Sequence, residues 1–329
     1  MDIPSAASVR KRVGPDAAIR PASHWVTGRQ GLTWFVERPD GRSVFKWVDE
    51  RELLIYRDLL PPGGAIRVPR LLRTWSVVDA EPAAVEMELI PHLAAPRPCY
   101  RFTPDLVPLA DPAWTGERLD SLIALLADMH ACHMHGSALE PHAAVFDQAT
   151  PQSDRADWQQ SLAKLVTIAD RSPAGRDWHR FWCDQESLLK QVSDELYEQP
   201  LTWIWGDAKW DHIGCRADGE VVVLEWSTTL GPAGSDLFLL LFLPPARRDA
   251  LLHRYCTALA PAFPDYASAR RATLLGLLRA CFIHGPGQST LSLRGVAAGS
   301  STPADLAAWA IDARTTASAI KHLRDEVNL

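Results

Sequence analysis

Two apolar runs in the stretch "LTWIWGDAKWDHIGCRADGEVVVLEWS" each close on a carboxylate: the first ends at Asp207 and the second carries Glu225. Lys209 and His212 lie between them. A carboxylate at the mouth of a buried strand is costly to desolvate unless a cation, a metal or a transferable proton uses it. Taken alone, Asp207 reads as a turn cap followed by a solvated Lys and His. Glu225 changes the balance. The spacing from 207 to 225 fits a short loop, a strand, a turn at Asp218-Gly219 and a returning strand, so both acids come to one end of a sheet. Two acids facing one site repel unless a divalent cation lies between them. Mg²⁺ takes one or two carboxylates together with phosphate oxygens, which makes a nucleotide phosphate its natural companion.

Other residues have chemistry to offer at a distance in sequence. In "SVFKWV", strand alternation puts Val44, Lys46 and Val48 on one face. Lys46 is then either an edge lysine reaching solvent or a cation held over a groove for an anion. Glu50 or Glu52 opens the following helix, and Glu52 is the better-phased partner. Asp236 in "GPAGSDLF" is either a helix N-cap or a group that hydrogen-bonds back to the Asp207 loop. Gly28 and Gly31 in "GRQGLTW" form a turn that could lie over phosphates, a weak signal by itself. His130, Cys132, His133 and His135 in "HACHMHG" have metal-ligand spacing. They also end an amphipathic helix, where histidines are favoured without a metal, and that reading is preferred.

The elements that must position these groups follow from local pattern. Residues 1–25 show no clear period and read as a loosely attached lead-in. "LTWFVERPDGRSVFKWV" gives two strands joined at Pro39-Asp40-Gly41. "DERELLIYRDLL" has helical spacing, and "AVEMELI" is a short strand ended by Pro91. The Pro-rich stretch from Pro91 to Pro112 is the expected connector. Beyond it the chain reads as mainly helical. "DSLIALLADMHACH" has one apolar face, "WHRFWCDQESLLKQVSDELY" reads as one long helix, and "GPAGSDLFLLLFL" begins a buried helix. This predicts a lead-in over 1–25, a small lobe over 26–92 and a large lobe over 93–329.

A net charge of −6 gives no overall case for nucleic acid or an anionic membrane as a partner. The six cysteines are scattered without a CxxC pair, so reduced thiols and a cytoplasmic location are expected. The N-terminus lacks the apolar core of a secretory signal. The longest apolar run is too short to span a bilayer. The 13 tryptophans are spread along the chain and read as core.

Taken in order, these pieces resemble the aminoglycoside phosphotransferase family of the protein-kinase-like fold, from about Trp25 to the C-terminal helices. The most specific stretch is Trp205–Phe238. The family's catalytic loop, H-G-D-x-x-x-x-N, is matched by Trp205-Gly206-Asp207 with His212 in the Asn position. Its I-D-W-type strand end is matched by Leu224-Glu225-Trp226, and its GP-x-G-x-D-L segment by "GPAGSDL". The resemblance implies an α+β fold with two lobes, a small β-rich N-lobe and a larger, mainly helical C-lobe. It implies Lys46 on the nucleotide phosphates with Glu52 as its partner. It also places Glu86 to Ile90, including Glu88, at a hinge whose backbone reads adenine. Asp207 is the implied base, Lys209 meets the γ-phosphate, and Glu225 with His212 holds the metal.

The departures are Trp205 for His, His212 for Asn and Glu225 for Asp. Imidazole is a poorer Mg²⁺ ligand than an amide oxygen. Two readings therefore stand. One is an ATP- and Mg²⁺-dependent phosphotransferase, with Mn²⁺ as the alternative ion, acting on a hydroxyl of a small molecule or modified peptide. The other is a pseudokinase that binds nucleotide or ligand without transfer.

Overall fold

The computed structural model describes residues 5–22, 32–59, 67–78, 81–90, 101–102, 108–109, 116–134, 139–169, 173–206, 212–224, 226–243, 245–286 and 303–329. Helix α1 (Ala6–Val13) is capped by Ser5, whose hydroxyl accepts from Ser8 N at 3.4 Å. Strand β1 (Ala18–Pro21) then pairs antiparallel with β2 (Thr33–Arg38), and β2 pairs with β3 (Gly41–Val48). The described part of the expected lead-in, residues 5–22, thus packs on the small sheet. The reason is the sheet face that carries Trp34, Val36, Phe45, Trp47 and Ala84, which buries against Val9, Val13 and Ala17. Removing so much aromatic surface from water outweighs the ordering of one short helix. The Arg12 guanidinium stacks on Trp47, 4.9 Å from the ring centroid, and seals the edge.

The sheet is completed by β4 (Leu71–Trp75) and β5 (Ala83–Glu88), in the order β1-β2-β3-β5-β4. β4 went unread in sequence because its Leu72, Arg73 and Thr74 are exposed and give no alternation. Between β3 and β4 lies α2 (Glu50–Leu54), which continues as a π-turn over Ile55–Leu59. Asp49 caps it, accepting from Glu52 N at 2.7 Å.

Short strands at Arg101–Phe102 (β6) and Pro108–Leu109 (β7) pair antiparallel within the expected connector, the rest of which lies outside the described residues. The large lobe opens with α3 (Gly116–His133), whose buried stripe includes Leu119, Leu122, Ile123, Leu126 and Met129. After β8 (Asp147–Gln148) come α4 (Pro151–Ala169), α5 (Pro173–Cys183) and α6 (Glu186–Leu196). The single helix expected over "WHRFWCDQESLLKQVSDELY" is therefore two helices, broken at Asp184-Gln185. The break lets Trp182 pack on Phe282, at 6.5 Å between ring centroids, while Leu188, Leu189 and Val192 enter the core from α6.

Strand β9 (Leu201–Ile204) leads to Gly206, and β10 (Ile213–Cys215) pairs with β11 (Val221–Val223) in the expected hairpin. Gly219 turns it with a φ of +93°, a conformation favouring glycine. β9 belongs to a different sheet, β8-β12-β9, with β12 at Thr229–Pro232. The segment Ala233–Phe242 forms 3₁₀ turns rather than the expected helix. It is pressed backbone-to-backbone against α8 (Tyr266–His284): a Cβ on Gly234 would lie 1.9 Å from Thr273 O. With α7 (Pro245–Leu259) and α9 (Pro303–Val327), these elements build the main core. Among the described residues no helix is long and apolar enough to cross a membrane.

Candidate active site

Lys46 lies on the face of β3 shared with Val44 and Val48, across from Thr33 on β2 and Val85 on β5. Its Nζ donates to Glu52 Oε1 at 2.6 Å, and both side chains are largely shielded, at 16% and 19% exposure. The pair is built locally. Asp49 fixes the start of α2, and that sets Glu52 in the first turn facing the strand. The local ion pair fixes the ammonium on this face of the sheet.

The second part of the site is an anchor in the large lobe. Asp236, 1% exposed, accepts from Trp205 N at 2.6 Å, Gly206 N at 2.9 Å and His130 Nε2 at 3.0 Å. His130 is held in turn by the Tyr255 hydroxyl at Nδ1, and Tyr255 donates to Ala233 O at 2.8 Å. Of the two readings of Asp236, the hydrogen bonds select the reach back to the loop over the N-cap. The neighbouring Ser235 accepts from Arg279 at 3.0 Å, and Arg279 grips buried Asp154 with two further bonds. The chain is therefore fixed immediately before Asp207.

The described neighbours of Asp207, His212 and Glu225 converge. Gly206 has a φ of +81°, and a Cβ there would lie 2.6 Å from Ser227 Oγ. Ser227 donates to Ile204 O, and Trp203 Nε1 donates to Ser227 O at 2.9 Å. The Trp203 and Trp226 rings lie 5.2 Å apart. Leu224 N donates to His212 O at 2.9 Å, and the His212 ring lies 6.4 Å from that of Trp205. Trp205, in the loop-histidine position, is 1% exposed, and its indole nitrogen has no hydrogen-bond partner among the described residues. It packs in the main core. Asp207, Lys209, Glu225, Gly28 and Gly31 lie outside the described residues.

Two residues expected at the hinge have other partners. Glu86 shares the outer sheet face with Phe45 and is 1% exposed. It accepts from Ser43 Oγ at 2.5 Å and from Arg38 through both guanidinium nitrogens. Its backbone sits in a central strand, paired with Phe45 on one side and Arg73 on the other, so the sheet uses those groups. Glu88 accepts from Arg216 at 3.3 and 3.1 Å and from Arg70 N at 3.1 Å. Burial pushes its carboxyl up, but the Arg216 and Arg70 donors outweigh that and leave it below the usual carboxylate range.

No group of three or more potential metal ligands occurs among the described residues, and His133 Nδ1 bonds instead to Met129 O at 2.7 Å. The sequence does not single out Tyr255 or Arg216, and His130 reads there as a helix-end histidine.

A sequence model of the phosphotransferase enzyme family matches residues 26–271. The chain belongs to this family. No curated protein sequence is significantly similar to it. Solved structures share the fold at low identity. A putative aminoglycoside phosphotransferase from Ralstonia eutropha JMP134 superposes with a TM-score of 0.56 at 15% identity, covering 94% of this chain and 93% of that one. Choline kinase from Cryptosporidium parvum Iowa II gives 0.55 at 10% identity, with coverage of 97% and 91%. Ethanolamine kinase from Plasmodium vivax gives 0.56 at 9% identity, with coverage of 97% and 87%. This family member thus has the two-part α+β architecture of the kinase-like fold, with Lys46–Glu52 in one part and the Asp236 anchor in the other.

Proposed function

We propose that this phosphotransferase-family chain moves the γ-phosphate of ATP to a hydroxyl of a small molecule or modified peptide, in the cytoplasm. The observation that carries the reading is the Asp236 anchor, three donors on one buried carboxylate, which rigidly presents the segment entering Asp207. A chain that only bound a ligand would have no need to fix that segment so firmly. The kinship in fold to proteins named as a choline kinase, an ethanolamine kinase and a putative aminoglycoside phosphotransferase favours a small-molecule acceptor.

In this reading Lys46 binds the α- and β-phosphates and Lys209 the γ-phosphate. Asp207 orients the acceptor hydroxyl and takes its proton. Leu89 and Ile90, just past β5, supply the backbone that meets the purine. Glu225 and His212 hold the cation, which when bound supplies charge neutralisation between the phosphates. The donor set fits such an ion: one hard carboxylate and one imidazole, with His212 tied through its carbonyl to the residue before Glu225. Because imidazole suits transition metals better than Mg²⁺, Mn²⁺ should support binding at least as well. The pseudokinase alternative draws on the substitutions at the two metal positions, His212 and Glu225.

Glu225→Gln separates the roles. It keeps shape and removes charge, so it should weaken ADP binding in the presence of Mg²⁺ by about 10-fold or more and leave metal-free ADP binding unchanged. Calorimetric titration reads both. Equal metal-dependent affinity in wild type and variant would rule out Glu225 as the ligand.

A further inference from the structure

Arg216 stands outside every motif, yet its side chain joins the two parts of the molecule. Its guanidinium donates to both Glu88 oxygens, at 3.3 and 3.1 Å, to Val68 O at 3.0 Å, and to Glu220. Glu88 ends β5, in the sheet that carries Lys46. Arg216 and Glu220 flank the turn of the β10–β11 hairpin and are joined by Arg216 N to Glu220 O at 2.9 Å. A backbone bond runs alongside, from Val223 N to Arg67 O at 3.1 Å. Arg67 itself donates to Ser121 Oγ on α3 at 2.5 Å. The pairing raises Arg216 above its ordinary value, the Glu88 hydrogen bond outweighing burial.

The two ends of this hairpin have different jobs. Its turn end is held to the small sheet. Its open end carries His212, bonded to Leu224, and runs directly into position 225. Three registered residue pairs separate the ends. At about 3.3 Å per residue the four steps from Arg216 to His212 span roughly 13 Å. Such a short twisted ladder moves as a unit, so what holds one end sets the position of the other. On the sheet side the link is equally short: Ser43 pairs with Glu88, and Lys46 lies on the same strand as Ser43, paired with Val85.

We propose that Arg216 and Glu88 are positioning residues that set the distance between the phosphate-binding Lys46 and the cation-binding His212–Glu225 end of the hairpin. This rests on the nucleotide-binding reading above. A cation and a lysine that share one phosphate chain need a fixed separation. A salt bridge a quarter exposed at each partner adds little to stability. Its value here is geometric, and it is selective for the state in which metal and phosphates are bound together.

The test is calorimetric titration of the full chain with ADP, once with Mg²⁺ and once with EDTA. Wild type, Arg216→Ala, Glu88→Gln and the remote control Arg155→Ala are compared, with melting temperature recorded for each. Arg155 forms a surface pair with Glu186. Expected is a Mg²⁺-dependent gain in ADP affinity in wild type and in Arg155→Ala. Arg216→Ala and Glu88→Gln should lose about 10-fold of that gain, the lower end of the range for groups that orient metal ligands, with EDTA affinities unchanged. A full gain retained in both clamp variants overturns the proposal while leaving the phosphotransferase reading intact. Equal losses with and without Mg²⁺, accompanied by lower melting temperatures, also overturn it by showing a merely structural role. No Mg²⁺-dependent gain in wild type defeats the underlying reading itself.

Discussion

Asp207→Asn should lower turnover by about two to four orders of magnitude, the usual contribution of a general base. Of the loop's His, Asp and Asn positions, Asp207 is the one that this chain shares with the family pattern unchanged. The backbone just before it is pinned at Trp205 and Gly206 by Asp236, so an amide in its place would sit in the same position without accepting the proton. ATP affinity should change little, because in the proposed reading the base serves the acceptor and Lys46 the phosphates. Transfer from labelled ATP across a panel of amino alcohols and amino sugars, with ADP release as a second readout, measures the effect. An acceptor that wild type and variant phosphorylate at the same rate would show that Asp207 is not the base.

Asp236→Ala should be the most damaging single change to the site's framework. It leaves Trp205 N, Gly206 N and His130 Nε2 without their acceptor in a dry interior. Removing one side of such a buried charged network costs about 3–5 kcal/mol, so the melting temperature should fall by several degrees. Turnover should fall further than the fraction of folded protein does. Asp236→Asn is milder: one amide oxygen still accepts, and a single donor is left facing an NH₂, at about 1–3 kcal/mol. Thermal unfolding by circular dichroism ranks the two. Equal stability of Asp236→Ala and wild type would mean that the anchor contributes nothing.

What could be read in the sequence follows from how local each signal is. The hairpin at Asp218-Gly219, the turn at Pro39-Asp40-Gly41 and the Lys46–Glu52 pair rest on neighbours a few residues apart, where period and turn chemistry speak directly. The outer-face cover by α1 was hidden because two valines on one short helix make no period. The 3₁₀ course of Ala233–Phe242 was hidden because its close packing of Gly234 on Gly276 and Thr273 is a long-range contact. Glu86 and Glu88 were placed at the hinge by position in a motif, for their backbone. Their side-chain partners, Arg38 and Arg216, lie 48 and 128 residues away and leave no local mark. His130 was read as a helix-end histidine, since its bond to Asp236 spans 106 residues.

The central claim is that the chain binds ATP together with a divalent cation for transfer, and a melting curve tests it most directly. ATP should raise the melting temperature, and Mg²⁺ or Mn²⁺ should raise it further. At a ligand concentration one hundred times the dissociation constant, the stabilisation is about 2.7 kcal/mol. A shift with ATP that is the same with and without metal would contradict phosphoryl transfer and leave a nucleotide-binding module. No shift under either condition would contradict nucleotide binding altogether.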